Sequence, residues 1–201
     1  MFIGFFLSWL LVIISEGNWL KTDKRFIIKK LIDCVVPVIT YAYLVYSHYI
    51  CLKIGTRTVL FVLGIGALLT AVIYIWFFVD QIVFFSKVPF KQMRKMQLSY
   101  ILLSLFFTLL FAATIINYVS YILWPTFYAI PTGLSHAETG FEFLYYTFTL
   151  MVTYSGTSIA AVHIAAKVLQ IIEIAAFYIL LGVFFADLIA KNKSAQGLSE
   201  E

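Results

Sequence analysis

The stretch TLMVTYSGTSIAAVHIAAK, residues 149–167, sets a polar run, Thr153 to Thr157, between two apolar segments. What such a run does depends on the medium around it, and composition identifies the medium. Apolar residues make up 63% of the chain, 14 Lys and Arg and 10 Asp and Glu are spread over 201 residues, and mean hydropathy is +0.98. Those charges are too few for a solvated globular surface, so the chain reads as an integral membrane protein. Hydrocarbon offers no water to unpaired backbone groups, which leaves helices or a closed barrel, and unbroken apolar runs exclude the alternation of barrel strands. The expected fold class is an all-α integral membrane protein.

Apolar runs of about 20 residues bounded by charges or turn formers predict spans. They fall at Met1 to Ile14, Leu31 to Leu52, Thr58 to Val79, Leu98 to Trp124 and Ile164 to Ala190, giving four to five transmembrane helices. The first is short, lacks the basic leader of a signal peptide and stops at Ser15-Glu16-Gly17-Asn18, as a thin span or an interfacial helix does. Basic residues gather between Lys21 and Lys30, between Lys87 and Lys95, and at Lys191 and Lys193. Placing these inside puts the N-terminus outside and the C-terminus in the cytoplasm of a multi-pass cell-membrane protein, with Lys53, Arg57 and Lys167 outside.

The long connection from Pro125 to Ala161 then lies outside and has internal order. Trp124, Phe127, Tyr128, Pro125 and Pro131 suit an interfacial belt. Thr139 stands three residues before Glu142, the spacing of a capping box, which predicts a short helix over 141–152. About 12 residues cannot cross a bilayer, so the helix is expected to re-enter the side it came from and hand over to TYSGT. Irregular backbone at that depth must line water or be buried in protein, and an inward-aimed helix end favours a cation. The bland alternative is a plain connecting loop.

YYTFTLMVTYSGTSIAAVHIAAKVLQIIE, residues 145–173, resembles the filter region of the potassium-channel pore-domain (two-helix ion channel) family without a gap. Tyr145, Phe148, Thr153, Ile159, Ala166, Lys167, Leu169, Ile171 and Glu173 stand on matching or similar positions. The resemblance covers about half the chain. It implies an outer helix at 98–124, a pore helix at 141–152, an ion filter at Thr153, Tyr154, Ser155, Gly156 and Thr157, and an inner helix at 164–190. It also implies four copies, a homotetramer in the lipid bilayer that passes potassium. The family's Thr-Val-Gly-Tyr-Gly is here Thr-Tyr-Ser-Gly-Thr, with Ser155 and Thr157 in place of both glycines and Ser158 in place of the following Asp. A wider, hydroxyl-lined constriction passing sodium as well as potassium is the consequence drawn.

Within the inner helix, Glu173 lies near mid-bilayer, where an ionisable group is costly. It either sits behind the filter, bonded to the re-entrant helix or protonated, or faces a neighbouring helix as a structural contact. Gly182 reads as a gating hinge or a packing contact, and Ile174, Tyr178, Leu181 and Phe185 share a face that would meet the pore axis as a hydrophobic gate. Lipid packing is the alternative for each. Residues 1–97 hold the additional spans and basic linkers, with Ala67 and Ala71 as a small-residue helix contact, and 191–201 form a polar cytoplasmic tail.

Several classes are not supported. Thr58 to Val79 lacks the repeated Arg or Lys of a voltage sensor, and the tail is no soluble ligand-binding domain. KVPFKQMRKM, residues 87–96, suits a lipid-reading interfacial helix or ordinary positive-inside topology. His48, His136 and His163 lack neighbours at ligand spacing, so no metal or other cofactor is expected, and Cys34 and Cys51 sit too far apart on one helix to form a disulfide. Enzyme motifs are missing, paired broken helices of a transporter are not seen, and nothing points to nucleic acid. The rival to a channel is a non-conducting, pore-like subunit or membrane regulator.

Overall fold

The computed structural model describes residues 23–54, 64–69, 71–72, 75–76, 79, 95–152 and 156–197, with side chains over 34–53, the short stretches between 64 and 79, 103–152 and 156–182. Helices α1 (Asp23–Ile54), α2 (Lys95–Leu123), α3 (His136–Met151) and α4 (Ile164–Gly197) dominate. A short 3-10 turn, Pro125–Phe127, leads into strand β1 (Tyr128–Ala129), which pairs with β2 (Ala160–Ala161). Three stretches are long and apolar enough to cross a membrane: Cys34–Lys53 in α1, Leu103–Leu123 in α2 and Ile164–Gly182 in α4. Met1 to Ile14 and most of 87–96 lie outside the described residues, and Thr58 to Val79 is described only in part.

Helix ends differ from expectation in a consistent direction. α1 starts at Asp23, so Lys24, Arg25, Lys29 and Lys30 sit on its first turns and not in a linker. α4 continues to Gly197, which makes residues 191–197 helical where a polar tail beyond the helix was expected. Both extensions carry strong helix formers, Lys24, Arg25, Lys29 and Lys30 in the first and Lys191, Lys193, Ala195 and Gln196 in the second, which add on readily once a long helix has already met the cost of nucleation. α3 begins at His136, five residues earlier than the Thr139 reading, because Ser135 is its N-cap. The Ser135 hydroxyl accepts from the Glu138 amide at 3.3 Å and the Glu138 carboxylate accepts from the Ser135 amide at 2.7 Å. Thr139 is a helix-interior residue whose hydroxyl donates to the Ser135 carbonyl at 2.9 Å.

α2 is the central post. Within its span 72% of residues are buried by the rest of the chain, against 44% in α1 and 22% in α4. The segment at 64–72 packs near its C-terminal end: Ala67 and Ala71 are fully buried, and a Cβ on Gly64 would come within 2.8 Å of the Leu123 side chain. That is the close approach small residues permit in membranes. α3 is locked between α1 and α2. Phe143, fully buried, meets the rings of Tyr118, Tyr121 and Tyr128 at 5.5, 5.3 and 5.2 Å. Such ring pairs contribute about 0.5–1.5 kcal/mol each beyond the area they bury. From α1, the Tyr41 hydroxyl donates to the Gly140 carbonyl at 2.6 Å.

The β1–β2 ladder is only two residues long, antiparallel with Tyr128 opposite Ala161 and Ala129 opposite Ala160, yet it fixes the path of the loop. It joins the chain before α3 to the chain after the polar run, so everything between leaves one place and returns to it. α3 runs ~24 Å away at 1.5 Å per residue.

Packing at Gly140 yields a test. A Cβ there would sit 2.8 and 2.9 Å from the two Val45 methyls, whereas one at Gly182 meets nothing within 4 Å. Gly140→Val is expected to lower stability in detergent titration by about 1–3 kcal/mol through overpacking. Gly182→Ala is expected to leave it unchanged or raise it by up to ~1 kcal/mol, the helix-propensity difference.

Candidate functional site

The site lies where α2, α3 and α4 meet at one depth. Asn117 is six residues inside the end of α2, Thr147 eleven residues into α3 and Glu173 nine into α4. At 1.5 Å per residue these are ~9, ~16 and ~13 Å from the shared end of the bundle, so their side chains converge. All three are buried, with Glu173 only 7% exposed.

Asn117 joins them. Its Nδ2 donates to the Glu173 Oε1 and Oε2 at 2.9 and 3.0 Å and lies 3.3 Å from the Thr147 hydroxyl. Its Oδ1 accepts from the Tyr128 hydroxyl at 2.7 Å. This arrangement fixes the amide orientation, since a flipped amide would set oxygen against the carboxyl. Thr147 sends its own proton to the Phe143 carbonyl at 3.0 Å. Burial holds the Tyr128 phenol above its ordinary value, so it remains the donor the amide needs. Tyr128 was expected in the interfacial belt; its side chain instead turns inward and is 4% exposed. The Trp124 and Phe127 rings stack at 5.3 Å, with His163 stacked on Phe127 at 4.5 Å. The Tyr146 hydroxyl, on the neighbouring position of α3, is buried and makes no hydrogen bond among the described residues.

Of the five filter positions, Thr153, Tyr154 and Ser155 lie outside the described residues; Gly156 is exposed and Thr157 half-buried. The Thr157 hydroxyl donates to the Ile159 carbonyl at 2.8 Å, and the Ser158 hydroxyl donates to Glu142 of α3. Glu142 thus does not cap α3. It ties Ser158, two residues ahead of β2, to α3. Beyond this tie, the Val162 and His163 amides both donate to the Phe127 carbonyl, at 2.9 and 3.2 Å.

Glu173 is therefore bonded to the neighbouring helix α2, and among the described residues its hydrogen-bonded link to α3 runs through Asn117. Tyr178 is half-exposed on α4, Leu181 is partly buried, Gly182 faces open space, and the Phe185 side chain lies outside the described residues. His48 and His136, isolated in sequence, come together with ring centroids 5.7 Å apart, and His48 Nδ1 is 2.9 Å from the Tyr118 hydroxyl. Asn117, Tyr128, Thr147 and Glu142 were missed as site residues. The available signal was Asn117 itself, a carboxamide in the middle of an apolar span, where a polar side chain needs a partner. No protein-family profile, curated protein or solved structure matches the chain.

The shared amide predicts strong coupling. Asn117→Leu leaves the Glu173 carboxyl buried without its donor and is expected to lower stability by about 1–3 kcal/mol. Adding Glu173→Leu is expected to restore much of that loss, giving a double-mutant coupling of about 1–3 kcal/mol in detergent unfolding. A second test concerns the cap. Hydrogen bonds from the Ser135 side chain first, and its backbone second, lower the Glu138 pKa. A depressed carboxyl contributes stability above its unfolded pKa and loses it as pH falls through the folded one. Acid titration below the ordinary carboxylate range should therefore weaken the wild-type chain more than Glu138→Gln.

Proposed function

We propose that the chain is one subunit of a tetrameric cation channel of the potassium-channel pore type, in which four loops carrying residues 153–157 surround a path for potassium and sodium. The observation that carries this reading is the loop closed at its own base by β1 and β2, between two candidate spans, with α3 lying between the two strands. In this reading α3 is re-entrant, the N-terminus is outside and the C-terminus is in the cytoplasm of the cell membrane. The C-terminal end of α3 carries about half a negative charge and points where the filter begins, which favours a cation.

Assembly has its own support. Gly156 and Ser158 are exposed on a single chain, where hydrocarbon would leave their backbone unpaired. Tyr145, Phe148 and Val152 form an exposed stripe along α3 and its C-cap, and α4 is bare on the face of Ile164, Val168, Ile171 and Ile172. Packing copies along these two stripes covers the loop. A second reading, a pore-like subunit that does not conduct, is favoured by the engagement of the Thr157 and Ser158 hydroxyls within the chain and by Ser155 and Thr157 at the glycine positions.

Flux into liposomes decides between them. The purified chain is expected to pass potassium and sodium but not a large organic cation, and Gly156→Trp is expected to abolish both fluxes while leaving the oligomer intact. Potassium flux alone would mean that the altered loop still builds a selective filter. No flux with any ion would contradict conduction and favour the second reading.

A further inference from the structure

A groove of about 570 Å3 runs between α1 and the N-terminal half of α3, away from the polar clamp. Its body is apolar: Val38, Ala42 and Val45 from α1, Phe141 and Leu144 from α3, and Phe111 beneath. The rings of Tyr41 and Tyr46 line it too, the Tyr41 hydroxyl being spent on the Gly140 carbonyl, and one end is polar, where Tyr49, Ser135 and His136 meet. Along α1 the lining runs from Val38 to Tyr49, eleven residues or ~16 Å, about half the ~30 Å hydrocarbon thickness. The groove thus has the depth of one leaflet. Its polar end is level with Lys53, the last residue of the candidate span Cys34–Lys53, so it opens where hydrocarbon gives way to headgroups. There the Lys53 ammonium is held 4.5 Å above the Tyr49 ring. The acidic side chain at that end, Glu138, is turned back onto Ser135 as a helix cap. A cation stands at the mouth of a single-chain slot.

We infer that this groove holds one acyl chain of a phospholipid whose anionic headgroup rests against Lys53. The volume lies within the roughly 300–1,000 Å3 of sites that enclose one small ligand, and a lysine near a membrane surface selects anionic over zwitterionic lipid. The site differs from the basic stretch at 87–96, and it stands whether or not the polar loop conducts. Because Gly140, Phe141 and Leu144 belong to α3, an occupant would bear directly on the helix that carries the loop.

Native mass spectrometry of the full chain, given equal phosphatidylglycerol and phosphatidylcholine with identical chains, tests this. The wild-type protein is expected to retain phosphatidylglycerol preferentially. Lys53→Gln, an exposed change that leaves the fold alone, should reduce that preference about fivefold, the effect of one lysine at an anionic surface. Ala42→Trp, which fills the slot from an exposed position, should reduce binding of both lipids. An unchanged preference in Lys53→Gln would overturn the headgroup assignment. Undiminished binding in Ala42→Trp, displacement of the lipid by inorganic phosphate alone, or loss of oligomer mass in Ala42→Trp would overturn the acyl-chain assignment, the last by making the groove an interface between copies.

Discussion

One carboxamide, that of Asn117, holds the rest of the site together. In an apolar interior a polar group without a partner costs several kcal/mol, so each of its hydrogen-bonding atoms dictates what must stand beside it. The Oδ1 calls for a donor and draws Tyr128 inward, which fixes the start of the loop. The Nδ2 calls for acceptors and draws Glu173 from α4 and Thr147 from α3 to the same depth. Three helices and a strand are set in register by a group of three heavy atoms.

Around that clamp the chain divides into a fixed part and an open part. Phe143 among its tyrosines, the β1–β2 ladder and the Glu142 tie to Ser158 hold α3 and the returning segment. α4 is different. It touches the clamp through Glu173 and the core through Phe177 and Leu180, but presents most of its surface outward. In the assembly of identical copies proposed above, the bare helix is the surface offered to the next copy and the place where movement costs fewest contacts within the chain.

Spans were legible in the sequence because span length and apolar composition follow directly from bilayer thickness. The three within the described residues fall where the apolar runs placed them, at Cys34–Lys53, Leu103–Leu123 and Ile164–Gly182. Helix ends were less legible. Two capping boxes overlap here, Ser135 with Glu138 and Thr139 with Glu142, and local spacing alone does not rank them. The first is used because it frees Glu142 to reach Ser158, sixteen residues away. Glu173 was visible as an ionisable residue in an apolar helix, but its partner was not, since Asn117 lies 56 residues earlier and on a different element. The meeting of His48 with His136 escaped for the same reason. Local pattern reports what a residue needs, and only the packing of helices reports what meets the need.

The central claim is that the exposed polar loop is enclosed by copies of the same chain. Counting subunits tests it most directly, by photobleaching single fluorescently tagged particles in liposomes at low protein density. Four bleaching steps per particle are predicted. Single steps would contradict the account, because one chain leaves Gly156 and Ser158 facing hydrocarbon with nothing to enclose.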